Sequence, residues 1–216
     1  IIAASEKDSE LKSDVTDKVI NSFNNKKISV TIRKTDAKGE KLAGAGLTLY
    51  EYDNEKKGDA VDTWETKADA DHTITGKLIA GKTYILEETK VPDGYAKANP
   101  IIFTVKNDDT RTIEMTSGQL DKDGNVVMVD QKTGVQILKV DANGKGVKDA
   151  QLAVYDGDKK IDEWTSDGDP HAMEGLVAGH KYTLKELKAP AGYKKATDQE
   201  FEVSDSKIVE VRMVDK

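Results

Sequence analysis

From residue 28 onward the chain is filled by short runs of alternating apolar and polar residues, separated by turn-forming stretches. In Val30-Thr31-Ile32-Arg33-Lys34 the apolar positions fall two apart, the period of a strand with one buried face. Val135-Gln136-Ile137-Leu138-Lys139 repeats that arrangement. Leu47 and Leu49, Leu152 and Val154, Tyr84 and Leu86, and Tyr182 and Leu184 mark further strands. Asp36-Ala37-Lys38-Gly39, Asp141-Ala142-Asn143-Gly144, Pro92-Asp93-Gly94 and Asp121-Lys122-Asp123-Gly124 supply the turns between them. Many short strands without a sustained helical period predict an all-β sandwich or barrel. Ahead of them, Leu11, Val15, Val19 and Phe23 recur every four positions. Residues 1–27 therefore read either as one amphipathic helix in a leader or as the tail of a preceding domain.

The strand pattern occurs twice. Residues 30–50 align without a gap on 135–155, at an offset of 105, and residues 78–95 match 176–193. Each copy ends on Met-Val-Asp, at 128–130 and 213–215. A period this long points to duplication of a whole domain and not to a solenoid. The first domain is expected over 28–131 and the second over 134–216. A link as short as Gln131-Lys132-Thr133 predicts a stiff, end-to-end pair.

Composition narrows the function. The 216 residues carry 33 basic and 40 acidic side chains, for a net charge of -7, with the signs interspersed. No basic groove with interleaved aromatics is present, which argues against nucleic acid as a partner. No apolar run reaches membrane-spanning length, so no membrane insertion is expected in this segment. The first residue is Ile1, as in a processed chain or a fragment. The three histidines, His72, His171 and His180, do not form a ligand-spaced cluster. No serine elbow or phosphate-cradling glycine loop is present either, so turnover catalysis lacks a signature and no cofactor is expected. The acidic loops at 53–59 and 69–71 lack a complete calcium pattern and read as solvated turns, with no metal expected. Trp64 and Trp164 occupy equivalent strands and read as core or rim anchors. The absence of cysteine excludes disulfides and leaves open what cross-links a small domain if it is extracellular.

Strand parity singles out six polar residues. The face carrying Val30 and Ile32 also carries Lys34, and that of Val135 and Ile137 carries Lys139. Val209, Val211 and Met213 lead inward to Asp215, with Glu210 and Arg212 between them on the other face. Val126 and Met128 lead in the same way to Asp130, although Val127 and Val129 blur the alternation. Tyr84 and Leu86 share a face with Glu88, and Tyr182 and Leu184 with Glu186. Parity thus selects Glu88 over its neighbour Glu87.

Three readings of this repeated Lys, Glu and Asp set stay open. The strand ends can fray at the rim and release the charges to water. The residues can form a buried ion network, at a heavy desolvation cost. Or they can react. Burial favours the neutral forms of amines and carboxylic acids, and a neutral amine held against a carboxyl carbon is a nucleophile at high effective molarity. A neighbouring glutamate can then polarise the carbonyl and move protons as water leaves.

These motifs resemble those of Cna B-type domains, stalk and pilin modules of Gram-positive surface proteins. The resemblance covers roughly 28–216 and rests on Lys34-Thr35-Asp36 and Lys139-Val140-Asp141, on the glutamate boxes at 84–95 and 182–193, and on the closing Asp130 and Asp215. It implies two tandem reversed immunoglobulin-like β-sandwich domains. It further implies autocatalytic isopeptide bonds, Lys34 to Asp130 with catalytic Glu88, and Lys139 to Asp215 with catalytic Glu186. The longer segment before Asp130 is expected to form an extended hairpin around 107–125. The implied role is a structural spacer at the bacterial cell surface or wall, with neighbouring domains of a longer surface protein as partners. A direct adhesin, with a domain binding host matrix protein or glycan, is the second reading. No sortase signal of the Leu-Pro-x-Thr-Gly type and no Tyr-Pro-Lys pilin motif occurs in the chain.

Overall fold

The computed structural model describes residues 27–107 and 112–215. The helix expected over 11–23 lies outside them. The first half contains β1 (Ser29–Asp36), β2 (Gly46–Asp53), β3 (Lys56–Glu65), β4 (His72–Thr75), β5 (Thr83–Lys90), β6 (Ile101–Val105), β7 (Ile113–Met115), β8 (Gln119–Leu120) and β9 (Val126–Asp130). They make one sheet in the order β4-β1-β9-β8 and a second in the order β3-β2-β5-β6-β7. Val30, Ile32, Val126 and Met128 of the first sheet pack against Leu47, Leu49, Tyr84, Leu86 and Phe103 of the second, giving the sandwich core.

The second half repeats this plan with β10 (Gly134–Val140), β11 (Lys148–Asp156), β12 (Lys159–Asp167), β13 (His171–Glu174), β14 (Lys181–Lys188), β15 (Gln199–Glu202) and β16 (Val209–Val214). The sheets run β13-β10-β16 and β12-β11-β14-β15. Their core, from Val135 and Ile137 to Val211 and Met213, is separate from the first. Among the described residues the chain is all-β and has no helix.

In each half the first and last strands are parallel neighbours. β1 pairs with β9, setting Lys34 opposite Met128, and β10 pairs with β16, setting Lys139 opposite Met213. Adjacent pairing of the first and last strands of each half places the site.

The segment expected as one hairpin around 107–125 divides instead between the two sheets. β7 extends the second sheet beside β6, and β8 lies on β9 in the first. The crossing occurs at Thr116-Ser117-Gly118. The Thr116 and Ser117 amides both donate to the Ile102 carbonyl, at 2.8 and 3.0 Å, and Gly118 turns the chain away with a φ of 82°. A glycine suits this turn because the left-handed conformation penalises a Cβ.

Candidate functional site

Each half brings together the three residues that strand parity selects. Lys34, Glu88 and Asp130 are buried, as are Lys139, Glu186 and Asp215. Lys34 and Asp130 come from adjacent strands of one sheet, whereas Glu88 reaches across from β5 in the facing sheet. Because Lys34 is opposite Met128, Asp130 is one side-chain repeat further along the same face. That diagonal suits a long lysine and a short aspartate. Lys34 Nζ donates to Asp130 Oδ1 and lies 3.1 Å from Glu88 Oε1. In the second half Lys139 Nζ donates to Asp215 Oδ1 and lies 3.3 Å from Glu186 Oε1.

The glutamates are fixed by a donor that residue type does not reveal. The Ala98 amide donates to Glu88 Oε2 at 2.8 Å, and the Ala196 amide donates to Glu186 Oε2 at 2.5 Å. Both amides belong to the irregular segment after the Pro-x-Gly-Tyr turn, at the same offset from their glutamate. This leaves Glu88 Oε1, Asp130 Oδ2, Glu186 Oε1 and Asp215 Oδ2 buried without a hydrogen-bond partner among the described residues. Two ionised carboxylates cannot bond to each other, but one proton between them satisfies an oxygen of each. Burial, assisted by the neighbouring Glu88 and opposed by Lys34, pushes the Asp130 carboxyl up to about 7. A neutral carboxylic acid is thus accessible at that position near neutral pH.

A further trio escapes single-strand reasoning. The Trp64 and His72 rings stack with centroids 4.1 Å apart, and His72 Nε2 lies 3.0 Å from Asp62 Oδ2. Trp164 and His171 stack at the same separation, with His171 Nε2 lying 2.8 Å from Asp162 Oδ2. β3 and β4 belong to opposite sheets, so the first stack joins the sandwich's two faces along one open edge. It borders a cleft of about 130 Å³ whose lining includes Ile32, Lys34, Trp64 and His72. Trp64 and His72 line that cleft together with Lys34, which is itself buried. The recurrence of Asp, Trp and His in both copies was its sequence signal.

The profile of the SpaA prealbumin-like fold domain matches residues 28–119 and again 133–216. The chain belongs to this family. Membership agrees with the resemblance to Cna B-type modules and with the two all-β halves. No curated protein matches the chain. Among solved structures, the Bacillus anthracis TIE protein is 24% identical with a TM-score of 0.49, over 89% of this chain and 35% of that one. A streptococcal ancillary pilin is 20% identical with a TM-score of 0.38, over 89% of this chain and 63% of the pilin. The C-terminal fragment of the pilus adhesin SpaC from Lactobacillus rhamnosus GG is 15% identical with a TM-score of 0.39, over 88% of this chain and 97% of the fragment. The chain thus spans about a third of the first of these and less than two thirds of the second.

Proposed function

We propose that the chain is a covalently braced spacer of a Gram-positive cell-surface protein, with domains over 28–131 and 134–216. Each domain carries one intramolecular isopeptide bond, Lys34 to Asp130 and Lys139 to Asp215. The observation that carries this reading is the burial of lysine, glutamate and aspartate in mutual contact, repeated in both sandwiches. Left as ions, each set bears the desolvation cost of three charges with carboxylate oxygens unpaired. Joined as an amide, two of the charges disappear.

The reaction uses only these side chains. The neutral Lys34 amine adds its lone pair to the Asp130 carboxyl carbon, forming the N–C bond. Glu88, held by the Ala98 amide, hydrogen-bonds the aspartate oxygen and carries a proton from nitrogen to the departing oxygen. The C–O bond breaks, water leaves, and Glu88 ends in the protonation state in which it began. Glu186 performs the same relay for Lys139 and Asp215. Each site reacts once, so the chemistry matures the protein and does not turn over a substrate.

The bond links the first strand of a domain to its last, the strands through which tension enters and leaves. Load then bypasses the rest of the sheet. The closed loops span 96 and 76 positions. By the chain-entropy relation for cross-links, each stabilises its domain by about 4–5 kcal/mol. Membership of the SpaA domain family supports the surface setting. Peptide mapping tests the assignment: a branched peptide should join the strand containing Lys34 to that containing Asp130, and another should join Lys139 to Asp215. Recovery of these four segments only as linear peptides contradicts it.

A further inference from the structure

The turn after each glutamate strand has the same sequence plan and meets different surroundings. Gly94 and Gly192 both adopt left-handed backbone, with φ of 83° and 90°. Gly94 is buried, and a Cβ added there would sit 2.8 Å from the Gly175 carbonyl oxygen of the second half. Gly192 is exposed, and a Cβ added there would meet nothing within 4 Å. Tyr95 and Ala96 are half-buried, whereas their counterparts Tyr193 and Lys194 are exposed.

The cover over Gly94 is built from specific backbone bonds. The Thr133 amide donates to the Gly94 carbonyl at 3.1 Å, and the Gly175 amide donates to the Thr133 carbonyl at 3.0 Å. The Thr133 hydroxyl donates to the Leu176 carbonyl at 2.6 Å, and the Lys97 amide donates to the Asp205 carbonyl at 2.8 Å. Thr133 is itself buried. One threonine thus ties the Pro-x-Gly turn of one sandwich to the fourth strand's end of the next. On the second sandwich, the Gly192 carbonyl and the Lys195 amide, which correspond to those of Gly94 and Lys97, make no backbone hydrogen bond among the described residues.

We propose that the face formed by Gly192, Tyr193 and Lys195 is the open half of a repeating joint, and that its occupant is a further domain of this same fold. The reason is continuity with the joint already formed: the second sandwich presents the surface on which the first seats its successor. The lower surface that such a domain must bring is also repeated. The Gly76 amide donates to the Ile28 carbonyl at 2.8 Å, as Gly175 does to Thr133, and Lys27 packs on Gly76 where Lys132 packs on Gly175. An incoming domain therefore offers a residue before its first strand, in the place of Thr133, to the Gly192 carbonyl. It offers a glycine after its fourth strand, where Gly175 takes a left-handed φ of 77°, and a side chain at Gly192 would press on that backbone as one at Gly94 would on Gly175. The inference deepens the spacer reading and rests on it for the kind of partner.

The test is the full chain with a second copy of residues 132–216 joined after Lys216, which recreates the Asp-x-Lys-Thr spacing of 130–133. The expected result is slowing of Lys195 amide exchange by about tenfold or more relative to the unextended chain. Scattering should give a single extended length for three domains. Gly192→Val in the extended chain should abolish both effects. Unchanged Lys195 exchange, or a scattering profile of a freely hinged third domain, overturns the inference. Denatured mass separates this outcome from the bond proposal: three waters lost with Lys195 unprotected rejects the joint alone. Lys195 protection at full sequence mass rejects the bonds alone.

Discussion

Lys34 and Asp130 are separated by 96 positions in the chain, yet their strands are parallel neighbours and their side chains meet. The second oxygen of Asp130 has no hydrogen-bond partner among the described residues, and Glu88 closes the group from the opposite sheet. Every member of this set is positioned by a strand that also carries the core. Its geometry is therefore as rigid as the sandwich itself. That rigidity favours a reaction limited by orientation.

Asp130 contributes one limb of the pH dependence of bond formation in the first domain. Its carboxyl must be neutral to act as electrophile, and burial raises it to about 7. Its neutral fraction falls as pH rises through that value. Newly translated chain sampled by mass over time should, from pH 6 to pH 8.5, lose bond-forming rate relative to Asp130→Asn, whose amide does not titrate and which needs the same neutral Lys34 amine. A rate relative to Asp130→Asn that stays flat or increases across this interval contradicts the assignment of Asp130 as the group that must hold a proton.

The Trp64 stack should matter to the sandwich when the covalent brace is absent. Trp64→Ala removes a half-buried indole and its contact with His72. The expected cost is about 2–4 kcal/mol. Denaturant unfolding of Glu88→Ala with and without Trp64→Ala measures it on the unbraced first domain. A change below about 0.5 kcal/mol would remove the stack from the set of contacts that hold the two sheets together.

Acid should weaken the first domain through Asp71. Burial works against its charge, but hydrogen bonds from Arg33 and Lys41 outweigh burial and hold the carboxyl below its usual range. A carboxyl depressed in the folded state stabilises above its unfolded value, about 3.9, and that contribution is lost as pH falls through the folded value. Asp71→Asn should lower the melting temperature at pH 7 and make little difference at pH 2. An equal loss at both pH values would mean that the residue acts through shape and not through charge.

Much of this was legible in the sequence because a strand's period of two converts position into direction. Met213 is buried, Arg212 exposed and Asp215 buried, as the alternation requires. The blurred run from Val126 to Asp130 resolves in the same phase, with Val127 and Val129 only half-buried. What stayed hidden depends on surfaces that meet far apart in sequence. The Ala98 amide that holds Glu88 is a backbone donor and leaves no trace in residue type. Trp64 and His72 were visible singly, but their stacking required β3 and β4 to lie on opposite sheets. β7 and β8 were read as one hairpin because nothing local in Thr116-Ser117-Gly118 tells a crossing between sheets from an ordinary turn.

The central claim is covalent, so intact mass under denaturing conditions tests it most directly. Each bond expels one water, about 18 Da, and the folded chain should therefore weigh about 36 Da less than its sequence. Glu88→Ala should restore about 18 Da while the first domain stays folded, and Glu186→Ala should restore the other 18 Da. Both changes together should return the full sequence mass. Full mass in the unmodified, completely folded chain would contradict the account and leave the six residues as two buried ionic clusters.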